Sequence, residues 1–147
     1  MTVIRAATLD DVDAIAALGQ RFLAQSVYHG RLADNPTRVR ALATQLIEAP
    51  AGEVFVAAAD GALVGMLALV AYAHHLSGEW VAGEVAWWVD RDHRGLGLRL
   101  LRAAERWART QGAIRFELIA PTPDVETLYA RLGYVPVERT FQRELTA

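Results

Sequence analysis

Two β-rich runs, residues 53–59 and 62–72, meet at the dipeptide Asp60-Gly61. A two-residue type I′ turn needs positive φ at both central positions, and Asp-Gly supplies it. The centre of the chain is therefore expected to be an antiparallel hairpin, and the remaining elements must build around it. Residues 2–7 predict a short strand. Thr8-Leu9-Asp10-Asp11 has the form of a capping box with Asp in place of Glu. Val12, Ile15, Leu18, Gly19, Phe22 and Leu23 then recur at helical spacing. Asn35-Pro36 reads as an N-cap followed by proline at the first helical position. Val39, Leu42, Ala43, Leu46 and Ile47 form one apolar stripe, so a second helix is expected to about Glu48, where Ala49-Pro50-Ala51-Gly52 breaks it.

After the hairpin, a fourth strand is expected over 81–90 and a turn over 91–97. A long helix then runs to about Gln111, closed by Gly112. Residues 114–119 predict a fifth strand, and Thr122-Pro123 starts a short helix through Leu132 that Gly133 stops. Tyr134–Leu145 predicts a last strand. The order β-α-α-β-β-β-α-β-α-β fits neither a doubly wound sheet nor an all-β fold. It implies an α+β chain with a mixed, mostly antiparallel central sheet and helices on its faces, one domain over 1–147.

Composition narrows the chemistry. The 147 residues are 53% apolar and 22% charged, too apolar for a disordered chain. No apolar run is long enough to span a bilayer, and Met1-Thr2-Val3-Ile4-Arg5 lacks the pattern of a secretory signal. Cysteine is absent, which excludes disulfides and thiol nucleophiles and fits a cytoplasmic location. Basic residues number 15 against 17 acidic, so a broad nucleic-acid surface is not expected. Every basic residue is arginine, which removes Schiff-base and P-loop lysine chemistry.

The stretch Val89 to Leu101 carries the most chemical information. It runs strand, glycine-containing turn, helix, with Gly95 and Gly97 in the turn. Glycines there allow positive φ and close approach of backbone to ligand, and N–H groups at a helix start favour an anion such as a pyrophosphate. Arg94-Gly95-Leu96-Gly97-Leu98, after a strand ending Trp87-Trp88-Val89, resembles the Arg/Gln-x-x-Gly-x-Gly/Ala signature of the GNAT N-acetyltransferase superfamily. Leu128-Tyr129-Ala130-Arg131-Leu132-Gly133-Tyr134 is similar to that family's Leu-Tyr-x-x-x-Gly-Phe/Tyr helix end. The element order matches from Ile4 to Leu145.

This resemblance implies transfer of an acetyl group from acetyl-CoA to an amine by direct attack in a ternary complex, with acetyl-CoA as co-substrate and no metal. It implies pantetheine pairing at Trp87, Trp88 and Val89, and pyrophosphate at Arg94, Gly95, Leu96, Gly97, Leu98, Arg99 and Leu100. The chain departs from the pattern at Arg99, in the last Gly/Ala position, and at Thr122, where the family often has asparagine. Arg99 is either a phosphate contact or part of a solvated stripe with Arg102, Arg106 and Arg109. In the family's arrangement Tyr129 is the general acid, and a backbone N–H near Val89 meets the oxyanion. Glu84 and Glu117 are the candidate bases. Period two places Glu84 with Ala86, Trp88 and Asp90 on one face of its strand, toward either the acceptor cleft or an arginine. Glu117 is as compatible with an ion pair to Arg115.

His74-His75 lacks a third ligand for a metal. Trp87 and Trp88 point to opposite faces, so at most one lines the cleft. A CoA-binding or partner-binding protein with little turnover, and an interaction module whose fourth and last strands pair with a second chain, share the same fold. A homodimer is compatible with the pattern. Acceptors from small amines to a protein N-terminus fit equally.

Overall fold

The computed structural model describes residues 1–146. Its centre is a five-stranded sheet in sequential order. Strand β1 (Thr2–Ala6) pairs antiparallel with β2 (Gly52–Ala59). The hairpin joins β2 to β3 (Ala62–Ala73), and β3 pairs antiparallel with β4 (Trp80–Val89). At the turn between β2 and β3, φ is +49° at Asp60 and +85° at Gly61, the conformation the dipeptide was expected to supply. Strand β5 (Phe116–Glu117) adds to β4 in parallel, making the sheet mixed.

Helices cover both faces. Helices α1 (Val12–Gln25) and α2 (Pro36–Glu48) bury Ile15, Leu18 and Leu46 against Val54, Val56, Met66 and Trp88. Helix α3 (Gly97–Thr110) buries Leu100, Ala104 and Trp107 against Leu67, Leu69, Ala82 and Val89 on the other face. Capping follows the sequence. The Asn35 side chain accepts from the Arg38 N–H at 3.0 Å, and Thr122 Oγ1 accepts from the Val125 N–H at 3.4 Å at the start of α4 (Pro123–Arg131).

Two strand expectations are corrected. The fifth strand is two residues long rather than 114–119, because the chain diverges from β4 after Glu117. Tyr134–Leu145 is not a strand: Val135 is 77% exposed and Phe141 90% exposed. Alternation and β-propensity form a strand only where a neighbouring edge takes the backbone groups. Among the described residues no edge does so.

Candidate active site

The divergence of β5 from β4 creates a wedge. The strand ladder has its last pair at Gly83–Glu117, after Ala82–Phe116. Beyond that point the Glu84 side chain bridges the gap, its Oε1 accepting from the Ile119 N–H at 2.8 Å. The other oxygen, Oε2, is buried and has no hydrogen-bond partner among the described residues. Burial pushes the Glu84 carboxyl up to about 7, against a smaller downward pull from the Ile119 N–H.

Period two misplaces this glutamate. Ala68 faces Ala86 across the β3–β4 ladder while the next pair is Leu69 with Glu84, so Val85 is an extra residue. This β-bulge sends both Val85 and Ala86 toward the α1/α2 face. Glu84 lies opposite Leu69, which packs on the α3 face. It therefore shares the face of Trp87, not that of Ala86, Trp88 and Asp90.

Tyr129 joins it there. Its ring is 8% exposed and lies parallel to Trp87, with centroids 6.1 Å apart and planes 5° from parallel. Its hydroxyl donates to the Ile119 carbonyl at 3.2 Å. Burial, and secondarily the charge of Glu84, raise the Tyr129 pKa well above its usual range, so the hydroxyl stays protonated. The backbone of one residue thus holds both candidate groups, Glu84 through the N–H of Ile119 and Tyr129 through its carbonyl. Neither Ile119 nor the bulge at Val85 carries a side-chain signal that sequence could reveal.

Glu117 sits elsewhere. It accepts a hydrogen bond from the Tyr72 hydroxyl at 3.0 Å and is exposed. A Cβ on Gly83 would lie 3.5 Å from the Glu117 Cβ, so the two positions share a face, opposite to that of Glu84. Arg115 pairs with Glu79 at 2.6 Å rather than with Glu117. Trp88 is buried on the α1/α2 face, edge-on to Phe22, so Trp87 is the tryptophan beside the wedge. Among the described residues no cluster of three or more potential ligands for a metal forms.

The turn after β4 is tightly anchored. Asp90 accepts from Arg21 at 2.9 and 3.0 Å and from the Trp88 indole at 2.9 Å, which ties α1 to the end of β4. Arg94 Nε donates to the Val89 carbonyl at 2.9 Å, and its guanidinium lies 5.1 Å from the Trp88 ring centroid. Residues Arg91–Leu96 wind as a 3-10 helix into α3, and the Gly97 N–H is spent on the Arg94 carbonyl. Neither Gly95 nor Gly97 has positive φ, so neither position demands glycine for handedness. A Cβ on Gly97 would lie 3.5 Å from Trp87, whereas one on Gly95 would meet nothing within 4 Å. Backbone at Gly95 is therefore open to a ligand. Leu96 packs against the core, Leu98 is 39% exposed, and Leu100 is fully buried, so Leu100 has only backbone to offer. Arg99 Nη1 donates to Thr2 Oγ1 at 2.9 Å, binding α3 to β1.

Comparison with known proteins agrees with this architecture. The family model described as "Acetyltransferase (GNAT) family" matches residues 23–134. No curated protein matches the chain. Among solved structures, a ribosomal-protein-alanine N-acetyltransferase from Brucella melitensis biovar Abortus 2308 is 21% identical, with 99% of this chain and 100% of that chain covered and a TM-score of 0.74. The aminoglycoside 6'-N-acetyltransferase AAC(6')-Ih from Acinetobacter baumannii is 18% identical over 100% of this chain and 99% of its own, also at 0.74. The aminoglycoside N-acetyltransferase AAC(6')-Iy, solved with CoA, is 18% identical over 99% and 96%, at 0.79. At such identities the likeness is one of fold.

Proposed function

Because the chain belongs to the GNAT acetyltransferase family, with a family match across residues 23–134, we propose that it transfers an acetyl group from acetyl-CoA to an amine, by direct attack. The observation that carries this reading is the Glu84 carboxylate, one oxygen fixed on the Ile119 N–H and the other buried and free. A carboxyl near 7 is matched to accepting a proton at neutral pH. The incoming alkyl amine arrives as an ammonium with a pKa of roughly 10 and must lose a proton before it can attack. Oε2 is the acceptor for it, directly or through one water.

Tyr129 serves the leaving side. Its hydroxyl stands in the wedge with Trp87 against its ring, and it turns from the Ile119 carbonyl to the departing sulfur. That hydrogen bond strengthens as negative charge grows there, so it acts on the transition state more than on the ground state. The splay of β5 leaves β4 backbone groups at Trp87 and Val89 for an amide-bearing arm. The Val89 carbonyl is already taken by Arg94, so the Val89 N–H is the group proposed to face the thioester oxygen. The diphosphate lies over the open backbone at Gly95. Glu117, on the other face, is proposed to contact the acceptor.

A second reading rests on the same contacts. Glu84 and Tyr129 both brace Ile119, and a CoA-binding protein with little turnover could use them only as struts. Thiol release from acetyl-CoA over a panel of amines separates the two. Turnover with at least one amine supports the transferase. Thermal stabilisation by CoA with no thiol release from any amine supports the binding protein. The two aminoglycoside enzymes and the ribosomal-protein-alanine enzyme make an aminoglycoside and an N-terminal alanine peptide the first acceptors to try.

A further inference from the structure

The Glu117 side chain crosses three strands. It leaves β5, lies over Gly83 of β4 and reaches Tyr72 of β3, whose hydroxyl donates to its Oε2 at 3.0 Å. That oxygen stands 3.9 Å from the place a Gly83 Cβ would take, so a long side chain there would push the carboxylate away. Glycine keeps the floor under it flat. The Tyr72 ring is half-buried, and the His75 ring from the β3–β4 loop lies beside it, centroids 5.9 Å apart. Among the described residues Glu117 has no ion-pair partner, because Arg115, whose nearest carboxylates are Glu79 and Glu117, is spent on Glu79 at 2.6 Å. Glu138 adds a second negative charge close enough to act on the Tyr72 hydroxyl. A fixed, unpaired carboxylate beside an aromatic ring is suited to an ammonium. Strands β3 and β5 and the C-terminal segment supply these groups, so no contiguous stretch of sequence displays them.

The place of this carboxylate relates it to the reacting amine. Glu117 is paired with Gly83, and Glu84 follows Gly83 directly, on the opposite face of the sheet. The α3 face holds Trp87, Tyr129 and the turn at Gly95, the groups assigned to acetyl-CoA. An amine that is to reach Oε2 of Glu84, which is buried and without a partner, therefore enters through the splay of β5 from the other face, past Glu117. The sheet is open there, since Val70, Val85 and Ala86 are only partly buried beneath α1 and α2. Side chains of neighbouring positions on opposite faces put two carboxylates on the order of 10 Å apart. A six-carbon chain with an ammonium at each end spans that distance.

Given the acetyl transfer proposed for the wedge, we propose that the acceptor is a diamine, one nitrogen reacting at Glu84 while Glu117, clamped by Tyr72 over Gly83, holds the other as an ammonium. Glu117 then sets specificity and Tyr72 is its positioning residue. The ammonium at Glu117 keeps its proton and is not acetylated. Because it is held alike before and during the reaction, it acts on KM and leaves kcat nearly unchanged.

The test compares 1,6-diaminohexane with hexylamine on the full chain saturated with CoA, by calorimetry, and with acetyl-CoA, by thiol release. The diamine is expected to bind about tenfold more tightly, the worth of one charge-assisted contact, and to show a matching advantage in KM. Glu117→Gln is expected to bring the two amines to similar affinity, and Tyr72→Phe to narrow the gap several-fold. A residue that merely braced β5 would change both amines equally. Wild-type protein that binds the two amines alike overturns the proposal and leaves acetyl transfer standing if thiol is released. A preference for the diamine that survives Glu117→Gln also overturns it. Selective binding that is lost in Glu117→Gln, with no thiol released from any amine, upholds the ammonium site and overturns acetyl transfer instead.

Discussion

Replacing Glu84 by glutamine tests the buried carboxyl through stability and chemistry at once. Burial moves this group from 4.5 to about 7. That displacement disfavours the charged form in the folded chain by about 3 kcal/mol, an upper figure because water reaches part of the side chain. The sign follows from proton counts. Between about 4.5 and 7 the folded chain keeps a proton that the unfolded chain has released, so stability falls as pH rises through this window. Glu84→Gln keeps an oxygen for the Ile119 N–H but has no proton to lose. Urea unfolding of both proteins from pH 4 to 9 is expected to show the wild type losing on the order of 2–3 kcal/mol relative to the variant across that span. Turnover moves oppositely. The wild-type rate is expected to rise through about 7, and the deficit of the variant to be largest at neutral pH. At high pH the amine deprotonates unaided and the deficit shrinks. Stability curves of the two proteins that run parallel from pH 4 to 9 would refute the claim that burial perturbs Glu84. A pH-independent rate loss would assign the residue to binding. If Glu117→Gln shows the pH-dependent loss instead, the base is Glu117.

Tyr129→Phe is expected to slow single-turnover acetyl transfer by on the order of 10²-fold with little change in CoA affinity; equal losses in both would make the residue a strut. Loss of its bond to the Ile119 carbonyl is expected to cost about 1 kcal/mol, readable by urea unfolding. Gly97→Ala is expected to bind CoA nearly as the wild type, since its Cβ meets Trp87 at an ordinary 3.5 Å, whereas Gly97→Asp forces a carboxylate against Trp87 and Val89 at the proposed CoA turn and is expected to abolish binding. Unchanged affinity of Gly97→Asp by calorimetry would move the phosphate site elsewhere. Gly52→Ala drives a Cβ to 2.6 Å from the Leu46 carbonyl oxygen, backbone that cannot easily move, and is expected to destabilise by about 1–3 kcal/mol in thermal unfolding with no specific effect on CoA.

Local chemistry determined the parts of this chain that sequence reveals. Asp60-Gly61 fixes its turn through backbone freedom, Asn35 and Thr122 satisfy helix N–H groups within three residues, and the α3 stripe is set by helical period. The family motifs belong to the same class, because the glycine turn at 94–98 and the helix end at 128–134 are each a contiguous stretch of sequence. Tertiary structure decided what depends on a neighbour. Whether 134–145 forms a strand rests on an edge to pair with, and the wedge beyond Glu117 rests on where β5 leaves β4. Glu84 shows why the two differ. Its period along β4 says one face, but one extra residue at Val85 turns it to the other, and a bulge is written in the register between strands. The partner that then holds it, the peptide of Ile119, is a backbone group that every residue carries, so no sequence distinguishes it before the strands are in place.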